Sequence, residues 1–514
     1  MTRPLLDVEG LVKHYPVTEG VLRNEVGRVR AVDGVSFTVD RGETLGLVGE
    51  SGCGKSTAAT TALRLEEPTD GHVVFDGEDV TEYGEKALKR FRRRAQMVFQ
   101  DPTSSFDPRM SIGESVAEPL RVHGMRDRER RRRIVGDLLE RVGLDAADMD
   151  RYPHEFSGGQ KQRVGLARAL VINPDLIVAD EPVSALDVSV QADILDLIEE
   201  LQAEFGLAIV VISHDMGVVR EVCDRVAVMY LGEIVETAPT EQLFEDPQHP
   251  YTRALLGSTP IADPRRRGQG TKLTGDVPSP SDPPPGCRFH TRCPEVIPDE
   301  EYDLDATTWR AVLNLRLRTA ADGIDVEAVR TYAAADDDPE SADPEAVRAA
   351  IREEFDLPPT LPDARAEETL SGALDRIVAG DVDGAADRLA EAFPTVCRRE
   401  RPGLVPAGTD LSADEWDAIK GFRVWVATLV DADESTVADR LDARCADDRD
   451  RDGVDRLAVR SAFRLPEPLS DSDAERSVGA AIDALLAGRA GAAADELYET
   501  FGPLRESACH LNRG

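Results

Sequence analysis

Residues Gly49-Glu50-Ser51-Gly52-Cys53-Gly54-Lys55-Ser56-Thr57 have the spacing G-x-x-x-x-G-K-[ST]. In that pattern the glycines let backbone N–H groups turn onto phosphate oxygens, Lys55 reaches the terminal phosphates, and the Ser56 hydroxyl can ligate Mg²⁺. Farther along, the run Leu176-Ile177-Val178-Ala179 ends in Asp180-Glu181, and Leu207-Ala208-Ile209-Val210-Val211-Ile212 delivers Ser213-His214-Asp215. Asp180 suits Mg²⁺ held through water, and Glu181 suits a general base that polarises an attacking water. A lone histidine is more often structural, but His214 at a strand end beside these groups reads as part of the same chemistry.

Such side chains need a sheet to aim them. Thr44-Leu45-Gly46-Leu47-Val48 is short and apolar and reads as a buried parallel strand, followed by a helix over residues 56–65 whose N-terminus faces the phosphates. The other two runs read as neighbouring strands, so the carboxylates and His214 gather at the carboxyl edge of an open α/β sheet, where such folds take their ligands.

Phe156-Ser157-Gly158-Gly159-Gln160 lies about 100 residues beyond the phosphate loop. With it, residues 5 to about 294 resemble the ATPase subunit of an oligopeptide/dipeptide ABC importer. Val98-Phe99-Gln100-Asp101-Pro102 resembles the Q-loop, Ser184-Ala185-Leu186-Asp187 the D-loop, His214 the switch histidine, and Tyr15 the aromatic that stacks on adenine. Pro250-Tyr251-Thr252-Arg253-Ala254-Leu255-Leu256 and Gly286-Cys287-Arg288-Phe289-His290-Thr291-Arg292-Cys293-Pro294 resemble the carboxyl extension of the peptide-uptake branch. The phrasing of residues 31–37 and 92–98 is similar to the second of the two ATPases such importers carry.

The resemblance implies a RecA-like α/β core, an antiparallel β subdomain and a helical signature subdomain. It implies ATP held by Tyr15, by Gly49, Ser51, Gly52, Cys53, Gly54, Lys55, Ser56 and Thr57, by Gln100, and by Ser157, Gly158, Gly159 and Gln160. Ser56, Gln100 and Asp180 would serve Mg²⁺, and Glu181, His214, Gln100 and Lys55 would carry hydrolysis. The implied partners are membrane permease subunits, a sister ABC ATPase forming a heterodimer and, indirectly, an extracellular solute-binding protein. The substrate stays open, because relatives carry peptides, nickel or sugars. A soluble ABC ATPase with a regulatory appendage is the reading from another class.

At 514 residues the chain is long enough for two or more domains. No stretch has the ~18 apolar residues of a membrane span, and Met1-Thr2-Arg3-Pro4-Leu5 lacks a signal peptide's apolar core. The expectation is a peripheral subunit at the cytoplasmic face of a membrane. The formal charge is −37, and residues 295–514 hold 50 acids against 25 bases. That argues against a nucleic-acid partner. Only seven of the 61 basic residues are lysine, and such an acidic, lysine-poor surface fits a high-salt, halophilic cytoplasm. Two basic runs stand against this background, Lys86, Lys89, Arg90 and Arg92 to Arg94, and Arg126, Arg128 and Arg130 to Arg133. They read as solvated helix faces or as contacts with the transporter.

The carboxyl-terminal half is duplicated. Residues 355–393 set against 463–501 give 17 identities in 39 positions at a constant offset of 108. Leu370, Ala373, Leu374, Ile377 and Val378 recur as Val478, Ala481, Ile482, Leu485 and Leu486, the apolar face of a helix. Gly380 and Gly488 fall where that helix would end. The expected domains are residues 1–245 for the ATPase, 246–294 for the extension, 295–396 for a first helical insertion repeat, and 397–514 for a second with a terminal cysteine phrase. The family extension implies four cysteines, here Cys287, Cys293, Cys397 and Cys509, converging on a [4Fe–4S] cluster. Zn²⁺ on the same ligands, or unligated thiols, are the alternatives. The spacing is compatible with one site only if each repeat leaves and returns at nearly the same point.

Overall fold

A computed structural model describes residues 4–19, 24–100, 106–184, 186–258, 277–297, 302–320, 324–334, 342–399, 405–406, 411–427, 429, 434–445, 454–501 and 506–507. Its strands are β1 (Leu6–Glu19), β2 (Asn24–Val39), β3 (Thr44–Val48), β4 (Asp70–Phe75), β5 (Glu78–Asp79), β6 (Ala95–Val98), β7 (Leu176–Asp180), β8 (Ala208–Ser213), β9 (Arg225–Tyr230), β10 (Glu233–Pro239), β11 (Val405–Pro406) and β12 (Glu506–Ser507). The chain divides into two compact units. One holds residues 1–272, 278–283 and 403–514, and the other 273–277 and 284–402.

In the first unit the larger sheet runs β11-β12-β10-β9-β3-β8-β7-β6, and β6, β7, β8, β3 and β9 are mutually parallel. β3, β7 and β8 are buried along their whole length. That burial is why they read as unbroken Val/Ile/Leu runs with no polar alternation. β10 pairs antiparallel with β9. A separate antiparallel sheet, β2-β1-β4-β5, packs Leu6, Val8, Leu11, Val35 and Phe75 into a core shared with Leu45, Leu47 and the helix Lys55–Ala62. The helices Ile112–Val122, Arg128–Arg141 and Gly158–Leu170 pack on one another as a helical subdomain. The expected α/β core, antiparallel sheet and helical subdomain are thus present.

The first repeat lies in the second unit, with helices Ala306–Ala320, Val326–Ala333, Pro344–Glu354, Ala364–Val378 and Val382–Ala392. The second belongs to the first unit, with helices Ala413–Ala427, Glu434–Arg444, Arg456–Ala462, Ser472–Leu486 and Ala490–Phe501. Their cores correspond: Trp309, Leu370, Leu374, Ile377, Leu389 and Phe393 in one, and Trp416, Val478, Ile482, Leu485, Leu497 and Phe501 in the other. Gly380 (φ 84°) and Gly488 (φ 71°) adopt the left-handed conformation just past the matching helix ends. The N–H groups of Asp381 and Arg489 then close onto the carbonyls of Arg376 and Ala484, giving the same Schellman stop twice.

Polar wiring is duplicated as well. Arg352 pairs with Glu367 at 2.6 Å and Arg460 with Glu475, while each arginine also donates to a loop carbonyl, Pro358 or Pro466. The other glutamate oxygen accepts from Leu361 N–H at 2.7 Å or Leu469 N–H at 2.9 Å. A partly buried ion pair with its remaining hydrogen bonds satisfied is the arrangement in which such pairs hold a loop without net loss.

Each repeat leaves and returns with its own two ends side by side. Before and after the first, Cys287 N–H donates to the Cys397 carbonyl at 2.7 Å. Around the second, β11 pairs antiparallel with β12, Val405 opposite Ser507 and Pro406 opposite Glu506. β12 in turn adds to the edge of β10, Glu236 opposite Ser507.

Candidate nucleotide site

The phosphate loop is built by exclusion. A Cβ on Gly49 (φ 152°) would come 2.1 Å from the Met229 carbonyl, and one on Gly54 (φ 104°) 2.0 Å from the Ala31 carbonyl. Only glycine fits these two positions. Lys55 is buried, and its Nζ donates to the carbonyls of Gly49 at 2.8 Å and Glu50 at 3.0 Å, with Cys53 Sγ at 3.8 Å. The ammonium therefore sits inside the turn of the loop, bonded to carbonyls that arriving phosphate oxygens would replace. Ser51 and Gly52 are exposed at the tip, while Ser56 and Thr57 open the helix behind it.

Ser56 Oγ donates to Asp180 Oδ1 at 3.1 Å, so a hydroxyl and a carboxylate meet where the sequence places Mg²⁺. Burial, then the neighbouring Glu181, raises the Asp180 pKa against the opposing effect of the Ser56 bond. One residue on, Glu181 adopts a left-handed φ of 45°. That conformation costs a non-glycine residue roughly 1–2 kcal/mol. It is held by Glu181 N–H bonding to the Ile212 carbonyl at 2.9 Å and by Ser184 Oγ donating to the Glu181 carbonyl at 3.2 Å.

The turn presents the carboxylate to two side chains from neighbouring strands. Gln100 Nε2 donates to Oε2 at 2.5 Å from just past β6, and His214 Nδ1 lies 2.7 Å from Oε1 just past β8. The structure thus assembles Gln100, Glu181 and His214 into one group, with Asp180 and Ser56 beside it. Sequence reading named these residues, but not the left-handed turn that brings them into contact.

Tyr15 lies on β1. Its hydroxyl donates to Glu66 Oε2 at 2.5 Å and contacts the Thr57 side chain. Burial and the Glu66 carboxylate push its pKa to about 12. The Lys13 ammonium sits 5.0 Å from the ring centroid. The expected adenine platform is therefore next to the phosphate-loop helix.

Ser157 caps the helix Gly158–Leu170 in a capping box. Its Oγ accepts from Gln160 N–H at 3.3 Å, and Gln160 Oε1 accepts from Ser157 N–H at 3.1 Å. Ser157 and Gly158 are exposed, and a Cβ on Gly159 would come 2.4 Å from Val190 Cγ1. The signature phrase thus offers a capped helix N-terminus to solvent, bonded within itself. Asp101, Pro102 and Ala185, named with the Q- and D-loops, lie outside the described residues.

Among the described residues no group of three or more His, Cys, Asp or Glu side chains is arranged to hold a metal ion. Cys287 and Cys397 meet through their backbones, and Cys293 Sγ accepts from Glu295 N–H at 3.4 Å. The expected four-cysteine cluster is not assembled by Cys287, Cys293 and Cys397, and Cys509 lies outside the described residues. Also among the described residues, no helix is long and apolar enough to cross a membrane.

Residues 32–184 match the ABC transporter family, and 235–299 match the oligopeptide/dipeptide transporter C-terminal region. Residues 306–410 and 413–513 each match one domain of unknown function, so the duplication is seen from outside the chain too. The chain is 51% identical over 299 residues to the oligopeptide transport ATP-binding protein AppF of Bacillus subtilis, covering 57% of this chain and 90% of that protein. It is 52% identical over 297 residues to the probable peptide ABC transporter ATP-binding protein y4tS of Sinorhizobium fredii, covering 58% and 84%. With the dipeptide transport ATP-binding protein DppF of Escherichia coli it shares 48% over 293 residues, covering 57% and 87%. With relatives this similar over nearly their whole length, and with the phosphate loop, Asp180-Glu181 and His214 gathered at one sheet edge, the chain belongs to the ATP-binding proteins of oligopeptide/dipeptide ABC transporters.

Proposed function

We propose that the chain binds Mg-ATP and hydrolyses it to drive import of dipeptides or oligopeptides, working at the cytoplasmic face of a membrane. The observation that carries this reading is the Glu181 carboxylate, gripped on one oxygen by Gln100 and on the other by His214, one residue beyond an Asp180 already bonded to Ser56. Glu181 is the general base in this reading. His214 and Gln100 fix its direction, and His214 stabilises the charge that develops when a proton leaves water. Lys55 and the loop amides hold the terminal phosphates, Ser56 and Asp180 hold Mg²⁺ with Gln100 nearby, and Tyr15 takes the adenine. Bound Mg²⁺ supplies charge neutralisation on the transferred phosphoryl group.

The signature residues Ser157, Gly158, Gly159 and Gln160 act in this reading on a nucleotide held by a second ATPase. Permease subunits complete the transporter, and an extracellular solute-binding protein selects the peptide. The names of the relatives, which speak of oligopeptide and dipeptide transport, support the substrate class. The acidic, lysine-poor composition supports work in a salty cytoplasm. The cysteine phrases around Cys287, Cys293, Cys397 and Cys509 resemble those of the family's extension, and that resemblance alone is the ground for a structural [4Fe–4S] site on them.

The test is reconstitution of the chain in vesicles with peptide-type permease subunits, a second ATPase and a solute-binding protein from the same genome, followed by uptake of labelled peptides. ATP-dependent uptake that stops with Glu181→Gln is expected. ATP-dependent uptake of Ni²⁺ without peptides would replace the substrate class, and hydrolysis with no uptake would favour the soluble ATPase reading.

A further inference from the structure

The loop that holds the phosphates is tied to a tyrosine outside the ATPase motifs. Tyr251, in the helix Pro250–Ser258, is fully buried, and its hydroxyl accepts from the backbone N–H of Glu50 at 2.9 Å, across 201 positions of sequence. We propose that Tyr251 is a positioning residue for nucleotide binding, its hydroxyl presetting the first turn of the phosphate loop.

Three features make this bond more than a packing contact. First, Tyr251 is itself fixed. Its N–H donates to His249 Nδ1 at 3.1 Å, and the N–H groups of Gln248 and His249 donate to the two oxygens of Glu236, each at 2.8 Å. Glu236 is fully buried on β10, so the start of the helix is locked to the sheet by a charged acceptor. The Tyr251 ring also lies 4.7 Å from that of Tyr230, the last residue of β9.

Second, Glu50 is held from both ends of its residue: Tyr251 takes its N–H, and Lys55 Nζ its carbonyl at 3.0 Å. Phosphate oxygens compete for Lys55 but not for the buried hydroxyl, so the Lys55 bond is exchanged on binding while the Tyr251 bond persists. Third, the loop has no slack opposite, because Gly49 already abuts the Met229 carbonyl of β9. A turn fixed before the ligand arrives saves the ordering entropy that would otherwise weaken binding.

The inference rests on the ATP reading above, and the full-length chain separates the two. Tyr251→Phe keeps the ring and removes the hydroxyl that accepts from the Glu50 N–H. Calorimetry with ATP and with ADP should show affinity about three- to tenfold weaker, the range expected when one neutral hydrogen bond is lost. KM for ATP should rise by the same factor while kcat stays within about twofold, since Glu181, Gln100 and His214 are untouched. In wild type, hydrogen exchange should find the Glu50 amide protected without nucleotide, and Tyr251→Phe should lose that protection. Unchanged affinity and KM in Tyr251→Phe, whatever its melting temperature, would overturn the inference. So would a freely exchanging Glu50 amide in wild type, even if the variant folds poorly. A wild-type chain that binds no ATP would instead remove the reading beneath it.

Discussion

Cys287 and Cys397 stand backbone to backbone, the N–H of the first on the carbonyl of the second at 2.7 Å, although an entire helical repeat lies between them in sequence. Gly286 makes the approach possible. A Cβ there would come 2.3 Å from the Cys397 carbonyl, and its φ of 71° is left-handed.

Under the four-cysteine proposal, which rests on the resemblance of the cysteine phrases, anaerobically purified protein should carry close to four irons and four acid-labile sulfides per chain, the content of a [4Fe–4S] site. Cys397→Ser and Cys509→Ser should each lower that content sharply and bleach the visible absorption. A colourless wild type containing zinc would transfer the same ligands to a tetrahedral metal, and one containing no metal would leave the cysteines as thiols.

Glu181→Gln should cut ATP hydrolysis by about 100-fold or more, the lower range for loss of a general base, while still binding ATP. The variant should run as a dimer on gel filtration with Mg-ATP, because hydrolysis no longer releases the signature face. Lys55→Ala should lose phosphate-dependent binding and stay monomeric under the same conditions. Hydrolysis by Glu181→Gln at the wild-type rate would take the base away from Glu181.

The second repeat should show an acid-labile contribution centred on Glu415. Burial alone would raise this carboxyl. Bonds from the N–H and Oγ of Ser412 and of Ser470 outweigh it and pull the pKa down from 4.5 to about 2. A lowered folded-state pKa means the stabilisation is complete above about pH 4.5 and drains away as pH falls toward 2, on the order of 3 kcal/mol. Urea melts across pH 5.5 to 3 should therefore converge for wild type and Glu415→Gln as the pH falls. Parallel curves at all pH values would refute this.

Screening should matter throughout the acidic half, where 50 acids face 25 bases over residues 295–514. The melting temperature should climb between dilute buffer and 1 M KCl, where the Debye length shrinks to about 3 Å. A flat or falling midpoint would detach the composition from salt.

The fold was most legible where side-chain period and burial coincide. The runs ending at Val48, Asp180 and Ser213 are buried on both faces, so their apolar continuity announced three adjacent parallel strands. The duplication was legible because each repeat repacks the same face, Leu374 and Ile482 at matching depth. Contacts set by backbone alone were not. Nothing in Glu181 itself signals a left-handed turn, and a tyrosine hydroxyl meeting a distant amide has no periodicity to betray it. β11 and β12 are two residues each and pair only because their neighbours are brought home by a whole helical unit.

Those two short strands also say how such a molecule could arise. A segment whose ends emerge as hydrogen-bonded antiparallel neighbours can be gained, doubled or discarded by joining the flanks across a tight turn, with no rethreading of the protein that hosts it. The second repeat enters at the rim of the ATPase sheet, not through its middle, so lineages could add or drop it while the catalytic edge, several strands away, kept its register.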